Sequence, residues 1–291
     1  MTTSQQLRTR LAEVDLLVVP GAYDALGARL IEQAGYDAVY MTGAGTSAAR
    51  GFPDYGLLTL SEMAENAAVM ARSIGVPLIA DADNGYGNEL NVTRTVREYE
   101  ARGIAALHIE DQVAPKRCGH LDGKEVVTRE EFISKIRAAV QARRKPDMVI
   151  IARTDARAVA SLDEAVWRAN AALDTGADMA FVEATQTAEE AAAVPRLVNG
   201  PCLLNMVPGG RTPVSDLRQV EDWGYKVALL PGLLLKAILD ACDTALGELR
   251  RTQVMPSAAE PVAQTFRRLG SDEWDALRHH FNAGTRAAEE R

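Results

Sequence analysis

The sequence predicts a (β/α)8 barrel with additional helices at its C-terminal end. Eight short apolar runs recur along the 291 residues, and most are followed by a segment with helical spacing. Short continuous apolar runs are typical of strands that are buried on both faces of a parallel sheet. Eight strand–helix units in about 250 residues match the size of such a barrel. An open, doubly wound sheet is the alternative, but it needs an edge that ends the series, and the sequence contains no such break.

The predicted strands and helices alternate along the chain. The apolar runs that predict strands are 16–19, 38–41, 78–80, 105–109, 149–152, 179–182, 203–204 and 227–230. The segments with helical spacing are 25–34, 60–73, 91–102, 129–143 and 162–175. Asp24 is suited to cap the first of these helices, and the glycines at which helices are expected to end are Gly35, Gly103 and Gly176.

Polar residues follow most of the predicted strands. In a (β/α)8 barrel the C-terminal ends of the strands carry the chemistry. A core strand has no structural use for a carboxylate at its end, so the repetition favours an active site at this face. The residues concerned are Thr42, Asp81, Asp83, Glu110, Arg153, Glu183 and Asn205.

The segment 105–120 brings carboxylates, cations and a thiol together within a short stretch. A predicted strand runs into two acids, and a polar loop follows. Because nearby positive charge favours a thiolate, Arg117 and His120 predict a depressed pKa for Cys118. The alternative is a turn whose charges only face water. The polar residues of this segment are Glu110, Asp111, Lys116, Arg117, Cys118, Gly119 and His120.

Asp81 and Asp83 predict a metal site. In an extended segment alternate side chains point the same way, so the two carboxylates can address one point. Asp54 and Glu110 could contribute from neighbouring loops. Oxygen ligation without nitrogen suits Mg²⁺ or Mn²⁺ rather than zinc. The alternative is that the two acids cap the helix that follows.

The glycine-rich segment 43–48 has the form of a dinucleotide-binding loop. Such a loop opens a helix and is followed by an acid about 20 residues later, and Glu62 is near that distance. Residues 50–56, however, interrupt the required helix. We therefore expect a loop that closes on a substrate carboxylate rather than a nicotinamide site.

Composition and charge exclude several classes of protein. The net charge of −8, from 32 basic and 40 acidic side chains, argues against nucleic-acid binding, which needs a basic face. The three cysteines form no spaced framework and suit a reducing cytoplasm. No signal-peptide segment is recognisable, and no apolar run approaches the roughly 20 residues that span a bilayer. We expect a cytoplasmic protein that binds a small molecule, without nucleic-acid or membrane partners.

The end of the chain predicts helices beyond those of the barrel. Residues 233–250 and 271–291 both have helical patterns. We expect 1–235 to form the catalytic barrel and 236–291 to pack on the barrel and on a partner subunit, within a single domain overall.

Five motifs resemble the isocitrate lyase/phosphoenolpyruvate mutase superfamily, and together they extend over about residues 16–235. The resemblance implies a (β/α)8 barrel, Mg²⁺ dependence and usually a homotetramer, a dimer of dimers, in which a C-terminal helix is exchanged between subunits. The loop 116–120 is similar to the gating loop of the members that break C–C bonds. The five motifs are 21–26, 81–88, 108–112, 116–120 and 151–156.

The resemblance also implies a role for each candidate residue. Asp81 and Asp83 match the metal ligands, and Asp54 and Glu110 match acids that bind the metal through water. Cys118 matches the catalytic acid. The loop residues expected to supply positive charge are Lys116, Arg117 and His120. The residues expected to contact substrate are Thr42, Gly43, Ala44, Gly119, Arg153, Glu183 and Asn205.

These roles predict a Mg²⁺-dependent C–C lyase. Its substrate is expected to be a 2-hydroxy di- or tricarboxylate of the alkylmalate or methylisocitrate type, cleaved to a 2-oxo acid and a carboxylate. Tyr40 and Asp54 are candidates for the base. Relatives commonly carry a glutamate where Pro208 stands. Methylisocitrate lyases bind a third carboxylate with arginines late in the chain, and this chain has Lys236 and Val262 near those positions instead. A dicarboxylate is therefore favoured over a tricarboxylate.

Three alternatives to the lyase remain open from the sequence. The first is a P–C bond-forming phosphonomutase, similar to carboxyphosphonoenolpyruvate mutases. The second is a hydrolase or decarboxylase that acts on oxaloacetate. The third is a barrel that binds 2-oxo acids without catalysis.

Overall fold

The computed structural model describes residues 1–257 and 260–289, and its central feature is a closed barrel of eight parallel strands. The strands pair in chain order, and the last pairs with the first. The predicted (β/α)8 fold class is confirmed. The strands are β1 Leu17–Ala22, β2 Val39–Met41, β3 Leu78–Asp81, β4 Ala106–Glu110, β5 Val149–Thr154, β6 Met179–Val182, β7 Cys202–Asn205 and β8 Val227–Leu230.

The helices lie between and after the strands. They are α1 Thr3–Glu13, α2 Ala25–Gln33, α3 Gly43–Ala49, α4 Leu60–Ser73, α5 Glu89–Ala101, α6 Arg129–Ala142, α7 Ala156–Val159, α8 Leu162–Asp174, α9 Ala188–Leu197, α10 Leu217–Asp222, α11 Leu233–Thr252, α12 Val262–Arg268 and α13 Ser271–Glu289.

Side-chain caps explain where several helices begin. The carboxylate of Asp24 accepts a hydrogen bond from the backbone N–H of Gly27 at 2.7 Å, as the sequence predicts for α2. Thr59 and Glu62 form a reciprocal capping box at the start of α4. Such caps satisfy backbone N–H groups that have no partner within the helix.

The strands are buried on both faces. One apolar cluster takes side chains from all eight strands and fills the barrel, and examples are Val19, Ile79 and Phe181. Two further clusters include other strand residues, such as Leu107 and Leu204, together with helical side chains. This double burial is why the strands appear in the sequence as unbroken apolar runs.

Helix α1 closes the N-terminal end of the barrel. Leu7, which is 1% exposed, joins the cluster inside the barrel. Arg8 pairs with Asp178 at 2.8 Å, and Asp178 also accepts hydrogen bonds from Arg143 at 2.6 Å and from the backbone N–H of Ile150 at 2.9 Å. The ends of several strands are thus tied together at the face opposite the predicted active site.

Some helices differ from the sequence-based expectation. The glycine-rich segment 43–48, predicted to be a loop, lies in a short helix, α3, because the side chain of Thr42 caps it by accepting from the N–H of Gly45. Helices α1, α9 and α10 were not predicted. Helix α9 carries Pro195 inside it, and α10 has only 6 residues.

The chain divides into two compact units, Met1–Ala237 and Ile238–Arg291. In the described part of the second unit, large apolar side chains are strongly exposed. Trp274 is 71% exposed, Phe266 56% and Leu246 66%. Across the described residues, no helix is both long enough and apolar enough to cross a membrane. The predicted exchange of C-terminal helices between subunits stays a prediction.

Candidate active site

A cavity of about 180 Å³ lies at the C-terminal ends of the strands. Most of the predicted site residues line it, together with an apolar wall. The predicted residues are Thr42, Ala44, Asp54, Asp81, Cys118, Gly119, His120, Arg153 and Asn205, and the candidate base Tyr40 joins them. A larger cleft of about 440 Å³ is lined in part by Asp83 and Lys116.

Asp81 and Asp83 do not lie in one extended segment, and that part of the prediction is wrong. Strand β3 ends at Asp81, and Asp83 has a φ of 45°, in the left-handed region. The chain therefore turns between the two acids, and the N–H of Asp83 donates to the Asp81 carboxylate at 2.9 Å. The two side chains are brought together by this turn rather than by strand alternation.

The ammonium of Lys116 lies between two of the predicted metal acids. Its Nζ is 2.5 Å from Asp54 Oδ1 and 2.7 Å from Asp83 Oδ1, and the side chain is buried. Although burial opposes the charged form, the carboxylates hold the pKa of Lys116 well above its usual value. Burial, with the charges of Asp81 and Asp54, raises the pKa of Asp83 to about 6 despite Lys116.

The predicted metal acids, Asp54, Asp81, Asp83 and Glu110, fit a hard divalent cation by charge and by atom type. Their donors are carboxylate oxygens, which Mg²⁺ and Mn²⁺ prefer. Glu110 is fully buried, and its Oε1 has no hydrogen-bond partner. The Lys116 ammonium already shows that the site between Asp54 and Asp83 accepts positive charge. Among the described residues, however, no three acidic, histidine or cysteine side chains are gathered closely enough to hold a metal in this arrangement.

The first turn of α3 lies directly beside the carboxylate of Asp81. The backbone N–H of Gly43 donates to Asp81 Oδ2 at 3.2 Å. A Cβ atom at Gly43 would lie 2.3 Å from the same oxygen, so a side chain there would displace the acid. The predicted carboxylate-binding segment and the predicted metal acid therefore contact each other.

Arg153 is shared by three carboxylates. Its Nε is 2.9 Å from Asp155 Oδ2 and 3.2 Å from Glu110 Oε2, and its Nη2 is 3.8 Å from Glu183 Oε2. Burial raises the pKa of Glu110 well above its usual value, despite the opposing charge of Arg153. Burial alone would do the same for Glu183, but Arg153, His120 and Asn205 lower its pKa to about 2.

The predicted depression of the Cys118 pKa is wrong. Burial, with the negative charge of Asp54, raises the pKa of this thiol to about 11. Arg117, its neighbour in sequence, is exposed and lies over the ring of Tyr55 at 5.4 Å, outside the cavity. The charges that surround the thiol come from other loops, and Cys118 is therefore a neutral thiol at neutral pH.

His120 faces Glu183 across the cavity. Its Nε2 is 3.1 Å from Glu183 Oε1, and its Nδ1 accepts a hydrogen bond from the backbone N–H of Arg211 at 3.0 Å. The amide of Asn205 donates to Glu183 Oε2 at 3.1 Å. Three predicted site residues, His120, Asn205 and Arg153, thus surround the buried carboxylate of Glu183.

Gly119 lets the loop approach this carboxylate. A Cβ atom at Gly119 would lie 2.5 Å from Arg153 Nη2 and 2.6 Å from Glu183 Cγ. Nearby, buried Lys124 donates to the carbonyl oxygen of Gly119 and lies 3.5 Å from Asp155 Oδ1. The loop 113–126 is therefore held over the site by contacts with the barrel.

His108 is a buried residue of the site that sequence reasoning missed. Its Nε2 lies 2.8 Å from the hydroxyl of Tyr40, and that hydroxyl is 3.4 Å from Asp81 Oδ2. Burial lowers the pKa of His108 to about 4, so the ring is neutral at pH 7, and burial raises the pKa of Tyr40 well above 10.0. A histidine inside the apolar run 105–109 was the available signal.

Asp111 also has a role that the sequence did not reveal. It is fully buried and accepts hydrogen bonds from the N–H of Asp155 at 2.8 Å, from the hydroxyl of Thr154 at 2.6 Å and from Arg168 at 3.1 Å. Because Asp155 in turn holds Arg153, Asp111 supports the position of the guanidinium.

With this geometry in view, comparison with known proteins identifies the family. The phosphoenolpyruvate phosphomutase family model matches residues 7–250. The chain belongs to this family. The predicted membership of the isocitrate lyase/phosphoenolpyruvate mutase superfamily is therefore confirmed.

Members of the phosphomutase family that resemble this chain include named C–C lyases. A 2,3-dimethylmalate lyase of Eubacterium barkeri is 47% identical over 232 residues, which cover 79% of this chain and 80% of the relative. A 2-methylisocitrate lyase of Aeropyrum pernix is 44% identical over 243 residues, covering 84% and 78%. These relatives support the prediction that the chain is a carbon–carbon lyase.

A solved structure in the same fold extends the comparison. Oxaloacetate acetylhydrolase in complex with 3,3-difluorooxalacetate matches with a TM-score of 0.92 and 38% identity, covering 97% of each chain. Members of the phosphomutase family therefore share one barrel while their names record different reactions.

Proposed function

We propose that this protein cleaves the C2–C3 bond of a 2-hydroxy dicarboxylate of the alkylmalate type, releasing a 2-oxo acid and a second carboxylate. The observation that carries the proposal is the neutral thiol of Cys118, which lines the same cavity as Arg153 and Asp81. An acid that delivers a proton must be protonated before the reaction, and the raised pKa of Cys118 meets that requirement. The named lyases among the relatives support the same reaction.

The proposal includes Mg²⁺, with Mn²⁺ as a substitute. Asp81 and Asp83 would hold the ion, and Asp54 and Glu110 would bind through water. When bound, the ion would supply a Lewis acid for the substrate oxygen that becomes the carbonyl. The cluster of carboxylate oxygens and the position of the Lys116 ammonium between Asp54 and Asp83 support this assignment.

The remaining steps, binding of the substrate carboxylate and transfer of protons, are assigned to residues of the chain. Arg153 and the segment of Thr42, Gly43 and Ala44 would hold the carboxylate that stays with the 2-oxo acid. A base takes the proton of the C2 hydroxyl, and the electrons of the C2–C3 bond pass to C3. Cys118 then donates its proton to C3. Of the two candidate bases, Asp54 fits better, because burial raises the pKa of Tyr40 and keeps its hydroxyl, which contacts Asp81, protonated.

The wall of the cavity supports a dicarboxylate rather than a tricarboxylate. Val207, Pro231 and Leu235 line the cavity together with Lys236, which is close to Leu235 in sequence and so marks this part of the lining. The Lys236 ammonium donates to the carbonyl oxygen of Pro208. A third carboxylate on this side would have to compete with that contact, whereas alkyl groups would meet apolar side chains.

The test is turnover of a panel of acids with Mg²⁺: 2,3-dimethylmalate, 2-methylmalate, methylisocitrate, isocitrate and oxaloacetate. We expect release of a 2-oxo acid from an alkylmalate, its loss on chelation of the metal, and a fall of roughly 10²–10⁴-fold in Cys118→Ser. Cys242→Ser is the matched control, because Cys242 is exposed and lies in the other unit. Full activity in Cys118→Ser would contradict the proposed role of the thiol.

The same panel distinguishes the other reactions of the family. The similarity to oxaloacetate acetylhydrolase makes hydrolysis of oxaloacetate the second candidate, and its product would be oxalate. Phosphorus NMR with phosphonate substrates would detect P–C chemistry. Silence with every carbon acid, from folded protein that binds Mg²⁺, would contradict the lyase.

We also propose that the protein is a homotetramer. The support is the series of exposed apolar side chains on the C-terminal helices, which is unusual for a surface that faces only water.

A further inference from the structure

Arg211 makes three contacts with the loop that carries Cys118. Its backbone N–H donates to His120 Nδ1 at 3.0 Å, and its Nε donates to the carbonyl oxygen of His120 at 3.2 Å. Its guanidinium also pairs with Asp122. Arg211 belongs to the connection between β7 and α10, so these contacts join two separate loops over the cavity.

The contact with Nδ1 determines which nitrogen of His120 carries the proton. Because Nδ1 accepts a hydrogen bond from Arg211, the proton of the neutral ring must be on Nε2. Nε2 is then a donor, 3.1 Å from Glu183 Oε1. The opposite tautomer would place two N–H groups against each other at Arg211 and leave no proton for Glu183.

Gly210 allows the backbone to come this close to the ring. A Cβ atom at Gly210 would lie 2.8 Å from His120 Nδ1. The ion pair with Asp122 contributes less, because the Asp122 side chain is 94% exposed and exposed pairs add little stability. The contacts with the ring and the carbonyl group of His120 are therefore the ones that hold the histidine.

We propose that Arg211 is a positioning residue that clasps the two loops together and holds His120 as the Nε2-protonated tautomer, directed at Glu183. Arg211 itself lies outside the cavity lining and acts through His120. Loss of its side chain frees the carbonyl group of His120 from one loop and lets the ring turn. The proposal deepens the proposed function, and only its kinetic test rests on that function.

Nitrogen-15 NMR of histidine-labelled protein tests the tautomer directly. The chain has four histidines, so His120 can be assigned from the signals lost in His120→Gln. In the unmodified protein we expect one set of signals, with Nδ1 unprotonated. Arg211→Met keeps the backbone N–H but loses the side-chain contact with the His120 carbonyl oxygen, so we expect the N–H and Nδ1 to separate part of the time and the tautomers to mix. The matched control is Arg218→Met, because Arg218 is 88% exposed and pairs only with nearby Asp216 among its described contacts.

Limited trypsin digestion of the same samples tests whether Arg211 holds the two loops together. We expect cleavage after exposed Arg117 to be roughly fivefold faster, or more, in Arg211→Met, because local opening controls cleavage of a folded loop. Arg211→Lys keeps the charge but cannot make both side-chain contacts as Arg does, so its rate should be intermediate. Asp122→Asn should behave as the unmodified protein does.

With a substrate identified, kcat of Arg211→Met should fall about tenfold while KM changes by less than about threefold. A single Nδ1-unprotonated tautomer and unchanged cleavage in both Arg211 variants would overturn the proposal. Equal changes in Arg218→Met would also overturn it, because they would indicate general destabilisation. Since the NMR and digestion need no turnover, their result stands even if the lyase proposal fails.

Discussion

At the scale of the residue, the environment of Cys118 determines its chemistry. Asp54 and Glu183 add negative charge around a partly buried thiol, and both oppose ionisation. Arg117 precedes Cys118 in the chain, but its side chain is directed to Tyr55. Cys118 lines the cavity, as the sequence predicts, but its predicted protonation state is wrong, because neighbours along the chain are not always neighbours in space.

The raised pKa makes a prediction about reactivity. Alkylation by iodoacetamide requires the thiolate, and a pKa of about 11 leaves very little of it at pH 8. We expect Cys118 to be alkylated far more slowly than exposed Cys242. Peptide mass spectrometry after timed quenching would measure the two rates. Faster modification of Cys118 would show that the thiol is activated after all.

The raised pKa also predicts how turnover depends on pH. Activity that needs a protonated thiol falls as the pH rises, whereas activity that needs a nucleophilic thiolate increases. A catalytic acid is lost when it deprotonates, so activity should persist through neutral pH and fall as the pH rises toward about 11. A control at each pH is the thermal unfolding midpoint, which separates loss of the fold from loss of the acid. An activity that rises with pH between 7 and 9 in proportion to a thiolate would contradict this role.

At the scale of the element, the close approach of loop 113–126 to the barrel depends on Gly119. Gly119→Ala would put a Cβ against Arg153 and Glu183 at the distances that real contacts do not reach. We expect turnover to fall about 100-fold because the loop cannot close in register, while the melting temperature changes little. Gly247→Ala is the control, since a Cβ there meets nothing within 4 Å, and it should leave turnover unchanged. Normal activity in Gly119→Ala would show that close approach of the loop is unnecessary.

The elements differ in how well the sequence predicts them. The strands were predictable because burial on both faces leaves an unbroken apolar run. Helix α3 was not, because Gly43–Ala49 is made of small residues and has no apolar period. The turn at Asp83 was also missed, since a left-handed φ at an aspartate has no marker in a single sequence. Site residues at strand ends were therefore found more easily than the partners that hold them.

At the scale of the whole molecule, the barrel and the family were predictable, whereas the homotetramer stays a prediction. The proposed tetramer makes its own prediction. Trp274→Glu should lower the molecular mass measured by light scattering, because Trp274 is 71% exposed on α13 and a charge there opposes apolar contact. Leu197→Glu, at a side chain 46% exposed on α9, is the matched control. A monomer before any substitution would rule out the tetramer.

The closure of one barrel end by α1 has a consequence for how this protein can change over time. The ion pairs of Arg8 and Arg143 with Asp178 lie at the N-terminal ends of strands, and the proposed active site lies at the other ends. Strands of about five residues separate the two faces by roughly 15 Å. Substitutions can therefore accumulate at the α1 face, raising or lowering tolerance to heat, without altering which acid is cleaved. Substitutions at one end of the barrel would change its stability, and substitutions at the other end would change its substrate specificity.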